Sequence, residues 1–148
     1  MQLNEWAVPL VNQISMERLE WLAAQAVYFR VAEIGEKLAG FLIGLPSNLQ
    51  NDSLYFQWFN RRYTNFIYLD RIVVADLAQH RGVGRALYRD IETFAARHGY
   101  LLASEVYSVP RNEISLAFHR QCGYRQVGLQ PVENGTKVVT KLLKTPQG

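Results

Sequence analysis

The chain holds a single cysteine, Cys122, so no internal disulfide can form, and a reducing compartment suits it. No apolar run approaches the roughly 20 residues that a membrane helix needs. The opening stretch MQLNEWAVPLVNQIS has neither the basic start nor the long apolar core of a secretion signal. A cytoplasmic protein without a membrane partner is the expectation. Blocks of five or six like charges are absent, as are repeats, low-complexity tracts and Gly/Ser linkers. Those absences argue against a nucleic-acid-binding tail, a solenoid and a tethered pair of domains. Histidine is scarce, and His80, His98 and His119 lack the spacing of metal ligands, so no metal is expected.

What is present describes one globular domain over residues 1–148. A chain of this size can bury roughly 68–70% of its unfolded surface without help from disulfides or metal. The net charge is +3 and comes mostly from arginine, which suits an anionic small molecule or nucleic acid. Ser15 can cap a helix through Gln25. Ala26–Glu33 and Lys37–Leu45 read as a hairpin turning at Gly35-Glu36. Pro46–Phe66 is a long connection with room for a short helix. Ile67–Ala75 reads as a strand, and its Ile72-Val73-Val74 run suggests burial on both faces. Gly82–Arg97 reads as a helix with the stripe Val83, Leu87, Ile91 and Phe94, stopped by Gly99. Leu101–Val106 is the next strand, and Asn112 can cap a helix running to Cys122 and Gly123. Two last strands flank Asn134-Gly135, a strong hairpin signal. The order of elements makes an α/β domain: a mixed sheet with helices on its faces and a central strand–helix–strand unit.

The stretch DLAQHRGVGRALY, Asp76–Tyr88, sits where that central strand turns into its helix. Amides at a helix start can converge on one anion, and glycine lets a phosphate approach the main chain. A P-loop would need Lys-Ser/Thr after Gly84, where Arg85-Ala86 stands. A dinucleotide site would need a third small residue where Leu87 stands, although Gly82, Gly84 and Glu105 mimic the rest. Gln79-His80-Arg81-Gly82-Val83-Gly84 instead meets the pattern Gln/Arg-x-x-Gly-x-Gly/Ala in full.

With that motif, the preceding LDRIVVADLAQ, the stretch NEISLAFHRQCGY (Asn112–Tyr124) and the closing hairpin, the chain resembles the GNAT superfamily of acetyl-CoA-dependent N-acyltransferases. The resemblance covers about Ala26–Leu143 and is closest to an uncharacterised bacterial branch. It implies a mostly antiparallel sheet flanked by helices, with acetyl-CoA as co-substrate. It implies that the CoA pyrophosphate lies on the amides of Arg81, Gly82, Val83, Gly84 and Arg85, with Gln79 and His80 in the turn. The pantetheine arm would run beside Ile72, Val73 and Val74 as an added strand would, with Asn112 and Ser115 on its other side. The Ile72 amide would then donate to the thioester oxygen. Where the family most often has a tyrosine acid, this chain has His119, a departure from the pattern.

An amine attacks only when neutral, so the reaction needs a base, and the departing thiolate can take up a proton. Asp70 ranks first as base, then Glu105, then Tyr68; His119 is the candidate acid. Each has a purely structural reading as well. Asp70-Arg71 can be a buried ion pair, Glu105 a solvated strand-end residue, and His119 a helix histidine bonded to backbone. Cys122 reads as core. Seven aromatic residues crowd Leu54–Tyr68, with Arg61 and Arg62 between them. They can pack the long connection or form an acceptor wall from Tyr55, Trp58, Arg61, Arg62, Tyr63, Tyr68 and Arg71. An arginine there would hold a carboxylate, making an amino-acid-like small amine the expected acceptor ahead of a polyamine. The expected activity is acetyl transfer to the amine of a small molecule by direct attack in a ternary complex. The alternative is a CoA- or acyl-CoA-binding regulatory domain without catalysis. A homodimer is compatible with the chain, and nucleic acid is not an expected partner.

Overall fold

The computed structural model describes residues 15–78 and 81–147. Four α-helices and six strands follow in the order α1 (Met16–Gln25), β1 (Tyr28–Ile34), β2 (Lys37–Pro46), α2 (Leu54–Asn60), β3 (Phe66–Val74), α3 (Val83–His98), β4 (Leu101–Val109), α4 (Glu113–Gln121), β5 (Arg125–Val132) and β6 (Lys137–Lys144). The strands form one sheet in the order β1-β2-β3-β4-β6-β5. Every pairing is antiparallel except β3 with β4. Among the described residues no helix is long and apolar enough to cross a membrane.

Local chemistry sets the element ends. Ser15 Oγ accepts from the Arg18 N–H at 3.0 Å and starts α1. Asn112 Oδ1 accepts from the Ser115 N–H at 3.2 Å and starts α4. Glycines at φ 79° (Gly82) and φ 75° (Gly99) enter and leave α3, a conformation that costs other residues strain. The Asn134-Gly135 turn between β5 and β6 places both residues at positive φ.

The sheet separates two cores. On one face α3 buries Val83, Leu87, Tyr88 and Ile91 against Leu42, Ile67 and Leu102, with Leu116 and Phe118 of α4 packed against them. On the other, α1 and α2 bury Leu19, Leu22, Phe56 and Phe59 against Phe41, Ile43 and Leu45. Strand β2 is therefore buried on both faces from Ala39 to Leu45.

The site-making feature is a split. β3 and β4 pair only at Phe66–Leu101, Ile67–Leu102 and Tyr68–Ala103, then diverge. The expectation that Ile72-Val73-Val74 would be buried on both faces is corrected here. Ile72 is 36% exposed and Val73 and Val74 are half-buried, while Phe66–Leu69 are the buried part. The reason is that the parallel neighbour has already turned away at Ala103. A bulge adds to the opening: Ile43 faces Arg71 and Gly44 faces Leu69, so Asp70 has no partner on β2. Such an extra residue bends its strand and re-aims the side chains beside it.

Candidate active site

The split opens into a cleft of ≈ 700 Å³. Asp70, Glu105, Tyr68 and His119 line it together, as do Ile72, Asn112, Ser115, Tyr55 and Arg71. Thus residues from β3, β4, α2 and α4, far apart in the chain, meet around one space.

Asp70 sits on the bulge with its side chain 11% exposed. Burial lifts its carboxyl above the usual aspartate range, outweighing the opposing guanidiniums of Arg71 and Arg18. Its one ion pair, to Arg71 Nε at 3.8 Å, is long. Asp70-Arg71 is thus an ion pair and a cleft pair at once.

Glu105 is not a solvated strand end. Its Oε2 accepts from the Tyr68 hydroxyl at 2.6 Å and its Oε1 pairs with Lys141 Nζ at 2.6 Å. Tyr68 and Glu105, ranked separately as bases from the sequence, form one hydrogen-bonded unit. Burial foremost, then the Glu105 charge, pushes the Tyr68 hydroxyl well above the usual phenol range. Lys141 is fully buried. Its ammonium also donates to the Tyr55 carbonyl at 3.2 Å. The rings of Tyr55, Trp58 and Phe59 surround it at 5.1–5.6 Å. Burial lowers its pKa even against the pull of Glu105.

His119 is 4% exposed. Its Nδ1 lies 2.8 Å from the Ser115 carbonyl, which can only accept, so Nδ1 carries the proton. Nε2 of the neutral ring then accepts from the Tyr88 hydroxyl at 2.7 Å, with Ser104 Oγ at 3.2 Å. Burial holds the pKa of His119 below the ordinary histidine value. The backbone-bonded reading is therefore correct in geometry, and the ring still borders the cleft.

At the start of α3, Arg81 and Arg85 are exposed and Gly84 is half-buried. A Cβ added at Gly82 would meet nothing within 4 Å, so the main chain there is open to a ligand. Val83 turns into the core. The Arg85 guanidinium lies 5.7 Å over the Phe118 ring. Gln79 and His80 lie outside the described residues.

The aromatic connection divides. Tyr55 and Tyr68 reach the cleft, and Tyr55 shares a 3.1 Å hydrogen bond with Tyr107. Trp58, Arg61, Arg62 and Tyr63 are not among its lining residues. Trp58 packs where Gly128 has no side chain. Tyr63 packs on Phe59, with ring centroids 6.5 Å apart. Arg61 donates to Gln57 at 3.4 Å and Arg62 to the Trp58 carbonyl at 2.9 Å. The helical turn of α2 sends these side chains elsewhere, and the arginines at the cleft are Arg18 and Arg71. Sequence reasoning missed Arg18, Tyr88, Ser104 and Lys141. Only Lys141 left a trace: a lysine inside the apolar run TKVVTKLLK.

A sheet split beside a glycine-entered helix, with acid–base side chains in the gap, is the layout of an acyltransferase that draws its acyl group from a CoA thioester. Residues 2–124 match the model of the Acetyltransferase (GNAT) family, and the chain belongs to that family. It is an acetyl-CoA-dependent acetyltransferase. No curated protein matches its sequence. Solved structures share the fold at low identity. Ard1 from Thermoplasma volcanium has a TM-score of 0.73 at 14% identity, over 96% of this chain and 86% of that one. The ribosomal-protein-S18-alanine N-acetyltransferase from Escherichia coli has 0.66 at 16%, over 97% and 86%. A Bacillus anthracis protein described as a streptothricin acetyltransferase, in complex with acetyl coenzyme A, has 0.62 at 16%, over 79% and 61%.

Proposed function

We propose that this protein transfers the acetyl group of acetyl-CoA to the amine of a small molecule, by direct attack in a ternary complex. The observation that carries the reading is Asp70, lifted out of the β2 ladder into the same gap that exposes Ile72. The residues present suit CoA. The open main chain at Gly82 and the amides of Arg81–Arg85 would hold its pyrophosphate at the start of α3. Beyond the last β3–β4 pairing, where Ile72 lines the cleft, β3 would hold its pantetheine arm, with Asn112 and Ser115 across the cleft.

Asp70 takes the amine's proton. Its raised pKa brings it closer to working pH. Both oxygens of Glu105 are already engaged, which leaves Asp70 the less committed carboxylate. His119 in its neutral form accepts from the Tyr88 hydroxyl and orients it. It acts as an acid toward the leaving thiolate only as imidazolium, which burial disfavours.

The test is thiol release from acetyl-CoA with a panel of amino acids, polyamines and peptides, alongside calorimetry of CoA binding. Amine-dependent release is expected, with CoA affinity weakened in Gly82→Val, because valine resists the φ of 79°. Tight acetyl-CoA binding without release from any amine would favour a non-catalytic acyl-CoA-binding domain.

A further inference from the structure

Beside the cleft lies a second hollow of ≈ 680 Å³, walled by Arg18, Trp21, Gln50, Asn51, Asp52 and Ser53. Arg18 and Ser53 border both spaces, so the hollow continues the cleft on the α1 side. Three donor groups around that junction lack acceptors. Arg18 makes no side-chain hydrogen bond or ion pair among the described residues, and its guanidinium is braced against Trp21 at 4.6 Å. Arg71 Nε is buried without a hydrogen bond, its Asp70 partner standing off at 3.8 Å. Asn51 is 9% exposed, and its Oδ1 accepts from the Ser53 N–H at 2.9 Å. That bond fixes the amide's orientation and leaves Nδ2 buried without an acceptor. The carboxylates lining the two spaces are Asp70, which serves the amine, Glu105, already engaged by Lys141 and Tyr68, and the exposed Asp52.

Buried donors without acceptors are costly, and a guanidinium fork matches a carboxylate with two parallel hydrogen bonds. We infer that the junction of hollow and cleft, with Arg18 and Asn51 on the hollow side and Arg71 on the cleft side, is an acceptor subsite for a carboxylate, so that the acetylated amine also carries a carboxylate group. This rests on the acetyl-transfer reading above and names the substrate class for it. Asp70 serves the amine end and Arg18 the acid end, a charge pattern that fits a zwitterion and opposes a polyamine.

The probe is a set of amino acids, each paired with the amine left by its decarboxylation, assayed by thiol release. The carboxylate-bearing member of a pair is expected to be at least tenfold better in kcat/KM. Arg18→Gln, at an exposed helix position, should remove that preference and leave the KM for acetyl-CoA unchanged. Asn51→Asp keeps the oxygen that the Ser53 N–H needs and replaces the unpaired donor with a negative charge. It should penalise only the carboxylate-bearing members. Equal use of both members, a preference for the decarboxylated amine, or an effect of Arg61→Gln in place of Arg18→Gln would overturn the subsite while leaving acetyl transfer intact. No release with any member of either class would overturn the subsite, and the acetyl-transfer reading falls with it only if the polyamines and peptides of the wider panel are silent too.

Discussion

Glu105→Leu removes the counterion of a fully buried ammonium. Lys141 Nζ would keep the Tyr55 carbonyl at 3.2 Å and three aromatic faces, and lose its 2.6 Å carboxylate partner. Breaking a buried pair from one side typically costs about 3–5 kcal/mol. At an m-value near 2 kcal/mol/M, the urea midpoint should fall by roughly 1.5–2.5 M. Lys141→Met should cost less, about 1–2 kcal/mol, because Glu105 keeps the Tyr68 hydroxyl and some contact with water while methionine fills the ring cage. The double variant should be more stable than Glu105→Leu alone, since an apolar pair of similar volume replaces the ions without their desolvation cost. A pH dependence follows. Burial lowers the pKa of Lys141 below 10.5, so the unfolded chain binds more protons in that window and stability rises with pH toward 10.5. The deficit of Glu105→Leu should therefore shrink on the alkaline side. Equilibrium urea unfolding of the four proteins at two pH values reads all of this. Single-variant losses that simply add in the double variant would refute the coupling.

Asp70→Asn should lower kcat by about 10²-fold or more if the carboxylate is the base. It should also melt no lower than wild type at pH 7. The raised pKa means that ionising Asp70 in the fold costs stability as pH climbs from 3.8 through its folded value, and asparagine escapes that cost; full turnover would remove Asp70 from the chemistry. For His119 the sign is opposite. Its folded pKa lies below 6.5, so the unfolded chain takes up a proton first on acidification, and stability falls as pH drops from 6.5. His119→Gln should flatten that slope, at most about 1.4 kcal/mol per pH unit for one group. An unchanged slope in thermal melts would mean that the ring is not held neutral.

Helix and strand periods, caps and turns were legible in the sequence because they depend on neighbours a few residues away. Asn112 starts its helix, Gly99 ends another, and Asn134-Gly135 turns its hairpin, through contacts within one turn of chain. The glycine motif after β3 was legible for the same reason. The tertiary structure alone decided where β3 and β4 part, and hence that Ile72 is exposed where its apolar run suggested burial. Packing also sorted the aromatic connection, sending Tyr55 to the cleft and Arg61 and Arg62 back onto α2. Tyr68, Glu105 and Lys141 stand on three different strands, and only the sheet order β3-β4-β6 sets them side by side. Arg18 reads in sequence as one more charge on a helix. It reaches the cleft because α1 packs on the sheet face that carries Phe41, Ile43 and Leu45, and such long-range placement follows from core packing, which no local pattern of residues encodes.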